Sequence, residues 1–203
     1  MIEPQANDGA RQRELRRDAA DNRDRVLAAA VAAVRREGTA VPMATVAAEA
    51  GVGVGTVYRH FPSREALLGA LTHQSFQLVL DAATTAAEPD QPGIDAVRDF
   101  LDQTIEHGPD LVLPLHGGPP VLEPATVAIQ TEVHRRLGAL LRRGQRDGTI
   151  RPDARAADIV IFGALLAQQL PHVPDWRRTA RRLVDIYLAG MAPTTRPLRR
   201  PTS

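Results

Sequence analysis

The chain has 203 residues, 25 basic and 24 acidic side chains, 43% hydrophobic content and no cysteine. That length buries a core without staples, while the lack of cysteine excludes disulfides, thiol catalysis and Cys-ligated metal centres. A net charge of +1 implies no polyanionic partner by itself, and every basic residue is arginine, a coding bias before it is a physical adaptation. No apolar run reaches the roughly 18 residues that a membrane span needs. The first ten residues lack the basic start and apolar block of a signal peptide, so the expectation is a cytoplasmic chain with no membrane partner.

Residues 1–20 hold few apolar side chains and read as a flexible arm carrying Arg11, Arg13, Arg16 and Arg17. Asp21 or Asn22 can cap a first helix, whose Val26, Leu27, Ala30, Ala33 and Val34 recur at helical spacing before Gly38 stops it. Pro42 fits the first turn of a short second helix, with Met43, Val46, Ala47 and Ala50 inward and Gly51 at its end. A brief third helix over 55–61 follows; Pro62 breaks it, and Ser63 caps a fourth predicted over 64–87. The spacing predicts another helix over 93–107, with Val97, Phe100, Leu101 and Ile105 on one side. Residues 108–124, broken by prolines and glycines, read as loop with room for one helical turn, serving as a pocket rim or a linker. Further helices are predicted over 125–147, 153–170 and 174–191. No segment alternates with the period of a strand. The fold class is therefore all-α. A three-helix N-terminal module with a helix-turn-helix spans residues 21–68, a C-terminal helical bundle spans 69–192, and a flexible tail covers 193–203.

The third helix is too short to bury much, so its residues serve something besides the core. Gly55 and Thr56 at its start can bring backbone N–H groups and a hydroxyl to a phosphate. Tyr58 and His60 project to different sides and can reach phosphates or base edges. Val57 and Phe61, four apart, anchor it. The string Ala47-Ala48-Glu49-Ala50-Gly51-Val52-Gly53-Val54-Gly55-Thr56-Val57-Tyr58-Arg59-His60-Phe61, continued by Pro62-Ser63-Arg64-Glu65-Ala66-Leu67, resembles the tetracycline-repressor (TetR) family of bacterial transcription regulators. The resemblance covers about residues 22–71. It implies a homodimer on a palindromic double-stranded DNA operator, with phosphate contacts from Thr56, Tyr58, His60 and Arg64 and a base-facing Arg59. The full candidate set is Arg23, Ala44, Thr45, Val54, Gly55, Thr56, Tyr58, Arg59, His60 and Arg64. Arg64 has a second use open to it, pairing with a nearby acid.

The chain departs from the family pattern at several positions. Val41-Pro42 stands where a helix-capping threonine is usual, Val54 where a polar residue is frequent, and Ala44 where some members carry a base-reading arginine. Val34 replaces an aromatic residue. Few side chains are left to read bases, so phosphate attraction falls to Arg23, Arg25 and the arm, which either enters a minor groove or is a solvated start.

For the remainder, the resemblance implies a bundle that dimerises and binds a small effector of unknown identity. Candidate pocket residues are Phe76, Phe100, His107, Leu113, Gln130, His134 and Leu165. Candidate dimer residues are Ile159, Phe162, Gly163, Leu166 and Leu170 on one helix, with Leu183 and Tyr187 on the last. The alternative is a bundle serving only assembly or protein contacts. The arginines between 135 and 155 read first as a solvated face and second as a site for an acidic ligand. Residues 63–87, as a connector of about 25 helical residues, reach ~37 Å, enough to join a pocket to the DNA module. No metal-ligand spacing, phosphate loop or catalytic triad stands out, so no metal, cofactor or enzymatic activity is expected.

Overall fold

The computed structural model describes residues 5–87, 90–113, 121–170 and 172–193, and of residues 5–16 the backbone alone. Among these residues there are eight α-helices and no strand. They are α1 (Gln5–Glu37), α2 (Met43–Ala50), α3 (Val54–His60), α4 (Arg64–Thr85), α5 (Gly93–His107), α6 (Pro124–Arg146), α7 (Ala156–Ala167) and α8 (Trp176–Met191), with a 3₁₀ turn at Gly108–Asp110.

The expected arm is helical from Gln5 onward and continuous with α1. The correction has a simple cause. Arg, Gln, Glu, Leu and Ala dominate that stretch and all favour helix, and extending a packed helix avoids the nucleation penalty. The expected tail lies outside the described residues from 194 onward, and so does the 114–120 part of the loop.

Two cores form, and α4 passes through both. The N-terminal core packs Val26, Ala30 and Val34 of α1 against Val46 and Ala47 of α2, Val57 of α3, Phe61, and Leu67 and Leu71 of α4. Local signals set its corners. Gly51 ends α2 at φ 64°, in the left-handed region that glycine occupies without a Cβ penalty, and the N–H of Val52 returns to the Ala47 carbonyl at 3.0 Å. Ser63 caps α4 by accepting the Ala66 N–H at 3.1 Å.

The larger C-terminal core is built by Val97, Phe100 and Leu101 of α5, Leu137 and Leu140 of α6, Ile159 and Leu166 of α7, and Val184 and Leu188 of α8. Helices α5 and α6 meet almost backbone to backbone, since a Cβ on Gly93 would stand 2.1 Å from the Gly144 nitrogen. A small third cluster of Phe76, Leu111, Leu113 and Ala167 lies between the two cores.

The two parts are stitched together by hydrogen bonds as well. Val112, whose side chain enters the N-terminal core, donates its N–H to Ser75 Oγ at 2.8 Å. Its carbonyl accepts the Thr72 hydroxyl at 3.0 Å. From α1, Arg35 donates to the Gly108 carbonyl at 2.5 Å and to Gln169 Oε1 at 2.9 Å.

Candidate nucleic-acid interface and bundle cavity

Helix α3 is held by one side only. Val57 is fully buried and Phe61, just past its end, is 3% exposed. On the opposite side Val54, Gly55, Tyr58 and Arg59 face solvent, with Thr56 and His60 half-buried at the margins. Ala44 is exposed and Thr45 half-buried on α2, close in sequence to the turn that aims α3. Arg59 folds back along its own helix, Nε lying 3.4 Å from the Gly55 carbonyl.

The neighbouring arginines divide into two kinds. The Arg23 guanidinium sits 5.3 Å above the Phe61 ring, a cation–π contact that parks a positive charge beside the end of α3. Arg64 donates to the Ala40 carbonyl at 3.3 Å and so fastens the start of α4 to the chain ahead of α2. Arg25 differs from expectation. Its Nη2 donates to the Ala50 carbonyl at 2.6 Å and to the Gly51 carbonyl at 3.2 Å. Those are the orphan acceptors at the C-terminal end of α2, where a cation is also favoured by the helix dipole. Arg25 therefore braces the helix-turn-helix corner. Sequence spacing gave no sign of this, because the pair is 25 residues apart.

In the bundle, α4, α5, α6 and α7 leave a cavity of about 190 Å³. Phe76, Phe100, Leu113, Gln130 and His134, all expected at a pocket, converge on it, joined by Val79, Thr104, Val133, Val160, Gly163 and Ala164. Two expected members do not reach it. His107, at the end of α5, instead borders a separate cleft of about 770 Å³ shared with Leu27, Val31 and Arg35 of α1 and Leu78 of α4. Leu165 is 52% exposed on the outer side of α7; Gly163 and Ala164 face the cavity in its stead. Thr104 was missed because a threonine within an apolar helix face carries no distinguishing spacing.

Residues 26–71 match the family described as bacterial regulatory proteins, tetR family. Residues 115–193 match the transcriptional regulator SbtR-like C-terminal domain. A TetR transcription regulatory protein of known structure from Mycobacterium vanbaalenii is 34% identical, with 88% of this chain and 99% of that one covered and a TM-score of 0.61. The chain belongs to the TetR family. A second TetR transcriptional regulator, from Streptomyces coelicolor, is 31% identical over 85% of this chain and 99% of its own, with a TM-score of 0.58. The HTH-type transcriptional repressor LfrR of Mycolicibacterium smegmatis is 31% identical over 134 residues, which are 66% of this chain and 65% of the repressor. The chain thus spans just under two thirds of that curated relative.

As in any TetR-family chain, α2 and α3 make the helix-turn-helix, and what remains to assign is the outer face of the last two helices. Ile159 is fully buried and Leu166 is 3% exposed, both inside the chain's own core. Gly163 is on the cavity wall. These three present nothing to a second copy, contrary to expectation. Phe162 and Tyr187 stack on each other at 4.0 Å between ring centroids, 11° from parallel, which ties α7 to α8. The burial of Tyr187 pushes its phenol well above the usual range. The outward apolar residues are Ile161, Leu165 and Leu170 with Leu183 and Ile186, at 57, 52, 47, 37 and 59% exposure. Among the described residues no cluster of His, Asp or Glu could hold a metal ion, and no helix is long and apolar enough to cross a membrane.

Proposed function

We propose that this TetR-family chain is a homodimeric repressor that seats α3 in successive major grooves of a palindromic operator and leaves it when a small molecule enters the bundle cavity. One observation carries the reading. A seven-residue helix keeps Tyr58 at 49% and Val54 at 41% exposure while Val57 beside them is sealed. A large aromatic left in water on so short an element is a contact waiting for a partner. The DNA contacts would be Tyr58, Arg59 and Thr56 with Gly55, Val54, Ala44 and Thr45, helped by His60, Arg23 and Arg64.

The outward apolar strip of Ile161, Leu165, Leu183 and Ile186 supports pairing of two copies through α7 and α8, a self-complementary two-fold contact. The cavity supports an effector over a bundle that serves assembly alone, since a mostly apolar space of about 190 Å³ with a few polar groups such as Gln130 and His134 is the form that small-molecule sites take.

Fluorescence anisotropy with a labelled duplex from the DNA upstream of the coding sequence tests it. The expected result is sequence-specific binding with a steep fall in affinity as salt rises. Retention of no such fragment at low salt would sink the reading.

A further inference from the structure

We propose that the bundle cavity takes a neutral ligand about the size of one aromatic ring, carrying a hydroxyl or N–H that donates a hydrogen bond. The inference rests on the effector reading above and narrows it to a chemical class.

Size comes first. The cavity measures about 190 Å³, and an apolar protein cavity of about 150 Å³ accommodates benzene. A single ring with one or two small substituents fills the space; a fused polycycle or a nucleotide does not. Phe76 and Phe100 flank it from α4 and α5, offering ring faces and edges for aromatic contact.

Charge comes second. None of the described lining residues is an arginine, aspartate or glutamate. An ammonium entering there would lose its hydration with no carboxylate to meet it, and a carboxylate would meet no guanidinium, only the single imidazole of His134. The arginines of α6 do not alter this, because none of them is among the residues lining the cavity, and Arg135 and Arg136 are engaged with Glu132.

Hydrogen-bond polarity comes third. The Thr104 hydroxyl gives its hydrogen to the Phe100 carbonyl at 2.8 Å, which leaves its oxygen only lone pairs to offer. His134 Nδ1 lies 2.8 Å from the Gln130 carbonyl. A carbonyl accepts, so Nδ1 carries the hydrogen, and Nε2 of the neutral ring is an acceptor. The Gln130 side chain supplies one more acceptor and an amide donor, whereas the Thr104 and His134 donors are already given to carbonyls. The wall is rich in acceptors, and a ligand with a donor satisfies them.

Calorimetric titration of the full chain with 4-methylphenol, 4-methylanisole and 4-methylbenzoate tests the proposal. The three share a ring and differ in carrying a donor, an acceptor only, or a full negative charge. The expected result is 4-methylphenol bound at least tenfold more tightly than either of the others. Thr104→Val, which keeps the shape and removes the acceptor, should shrink the phenol-to-anisole ratio several-fold. Ala164→Leu, which fills the cavity from α7, should lose at least tenfold in 4-methylphenol affinity while its thermal midpoint stays within a few degrees of the parent. Binding of 4-methylbenzoate or 4-methylanisole as tight as that of 4-methylphenol, or no binding of any probe, overturns the proposal. So does an unchanged affinity in Ala164→Leu. Operator binding measured on the same preparation, without probe, separates the two readings. If the duplex is bound and the probes fail, only the ligand class falls. If no duplex is bound, the regulator reading falls whatever the probes do.

Discussion

Tyr58 and Arg25 show how differently two polar residues of one small module are employed. Tyr58 touches little of its own chain and is 49% exposed, so removing its hydroxyl leaves the fold alone. Tyr58→Phe should weaken operator binding about tenfold, the loss of a hydrogen bond of about 1.5 kcal/mol to a charged group, with no change in thermal midpoint. Anisotropy titration beside a melting curve checks both halves. Arg25 is the reverse case, since it meets two carbonyls at the end of α2. Arg25→Met keeps the apolar stem but leaves those acceptors bare, and should lower stability by about 1–2 kcal/mol. Operator affinity would fall as well, because the corner aiming α3 loosens. A variant with weakened DNA binding and an unchanged midpoint would mean that Arg25 touches phosphate directly and braces nothing.

At the scale of elements, α5 and α6 owe their closeness to a pair of glycines. The Cβ of Gly93→Ala would have to occupy a position 2.1 Å from one backbone atom of Gly144 and 2.3 Å from another. Backbone cannot rotate away as a side chain can, so the helices must part, at about 3 kcal/mol. A lowered urea midpoint with an unchanged denaturant slope is the expected signature. On α6 itself, Arg135 and then Arg136 hold the Glu132 carboxyl at about 2, below its ordinary 4.5. A carboxyl depressed in the folded state adds stability that is complete above about pH 4.5 and is lost as pH falls toward 2. The carboxyl keeps partial contact with solvent, which screens it, so the effect is small. Glu132→Gln should flatten a little of the acid limb in midpoint against pH and leave the neutral plateau almost unmoved.

The same scale shows what could be read from sequence. Helix α5 is legible to its ends, because its apolar and polar residues separate cleanly, Gly93 opens it and Gly108 closes it. The all-helical architecture and the anchoring of α3 by Val57 and Phe61 were legible for the same reason. Helix α7 was not. Its Ile159 through Leu166 are almost uniformly apolar, so periodicity cannot tell which stripe faces the core and which faces out. The inward and outward residues were therefore exchanged, with Ile161 missed and Ile159 chosen. The reach of His107 into a second cleft depends on how α1 packs across the end of α5, a tertiary fact with no local trace.

Over the whole molecule, residues 111–113 join α4 as a link between the cavity and the DNA module. Leu113 borders the cavity, while its neighbour Val112 packs in the N-terminal core. Adjacent residues of an extended segment point to opposite sides, so on the proposed effector reading a ligand pressing on Leu113 would displace Val112 the other way. The Val112 backbone is clamped to α4 through Ser75 and Thr72, and Ser75 also donates to the Leu71 carbonyl at 2.8 Å. Movement at Leu113 therefore reaches the part of α4 that lies inside the DNA module. Ser75→Ala combined with Thr72→Val removes both hydrogen bonds without altering the cavity wall. It should leave 4-methylphenol affinity within about threefold of the parent, while the ratio of operator affinities without and with saturating ligand drops toward one from the roughly 5–150-fold typical of such coupling. Anisotropy titrations in both conditions measure that ratio directly. A ratio unchanged in the double variant would assign transmission to the tilt of α4, since Phe76 and Val79 of that helix also face the cavity and Leu67 and Leu71 are buried in the DNA module.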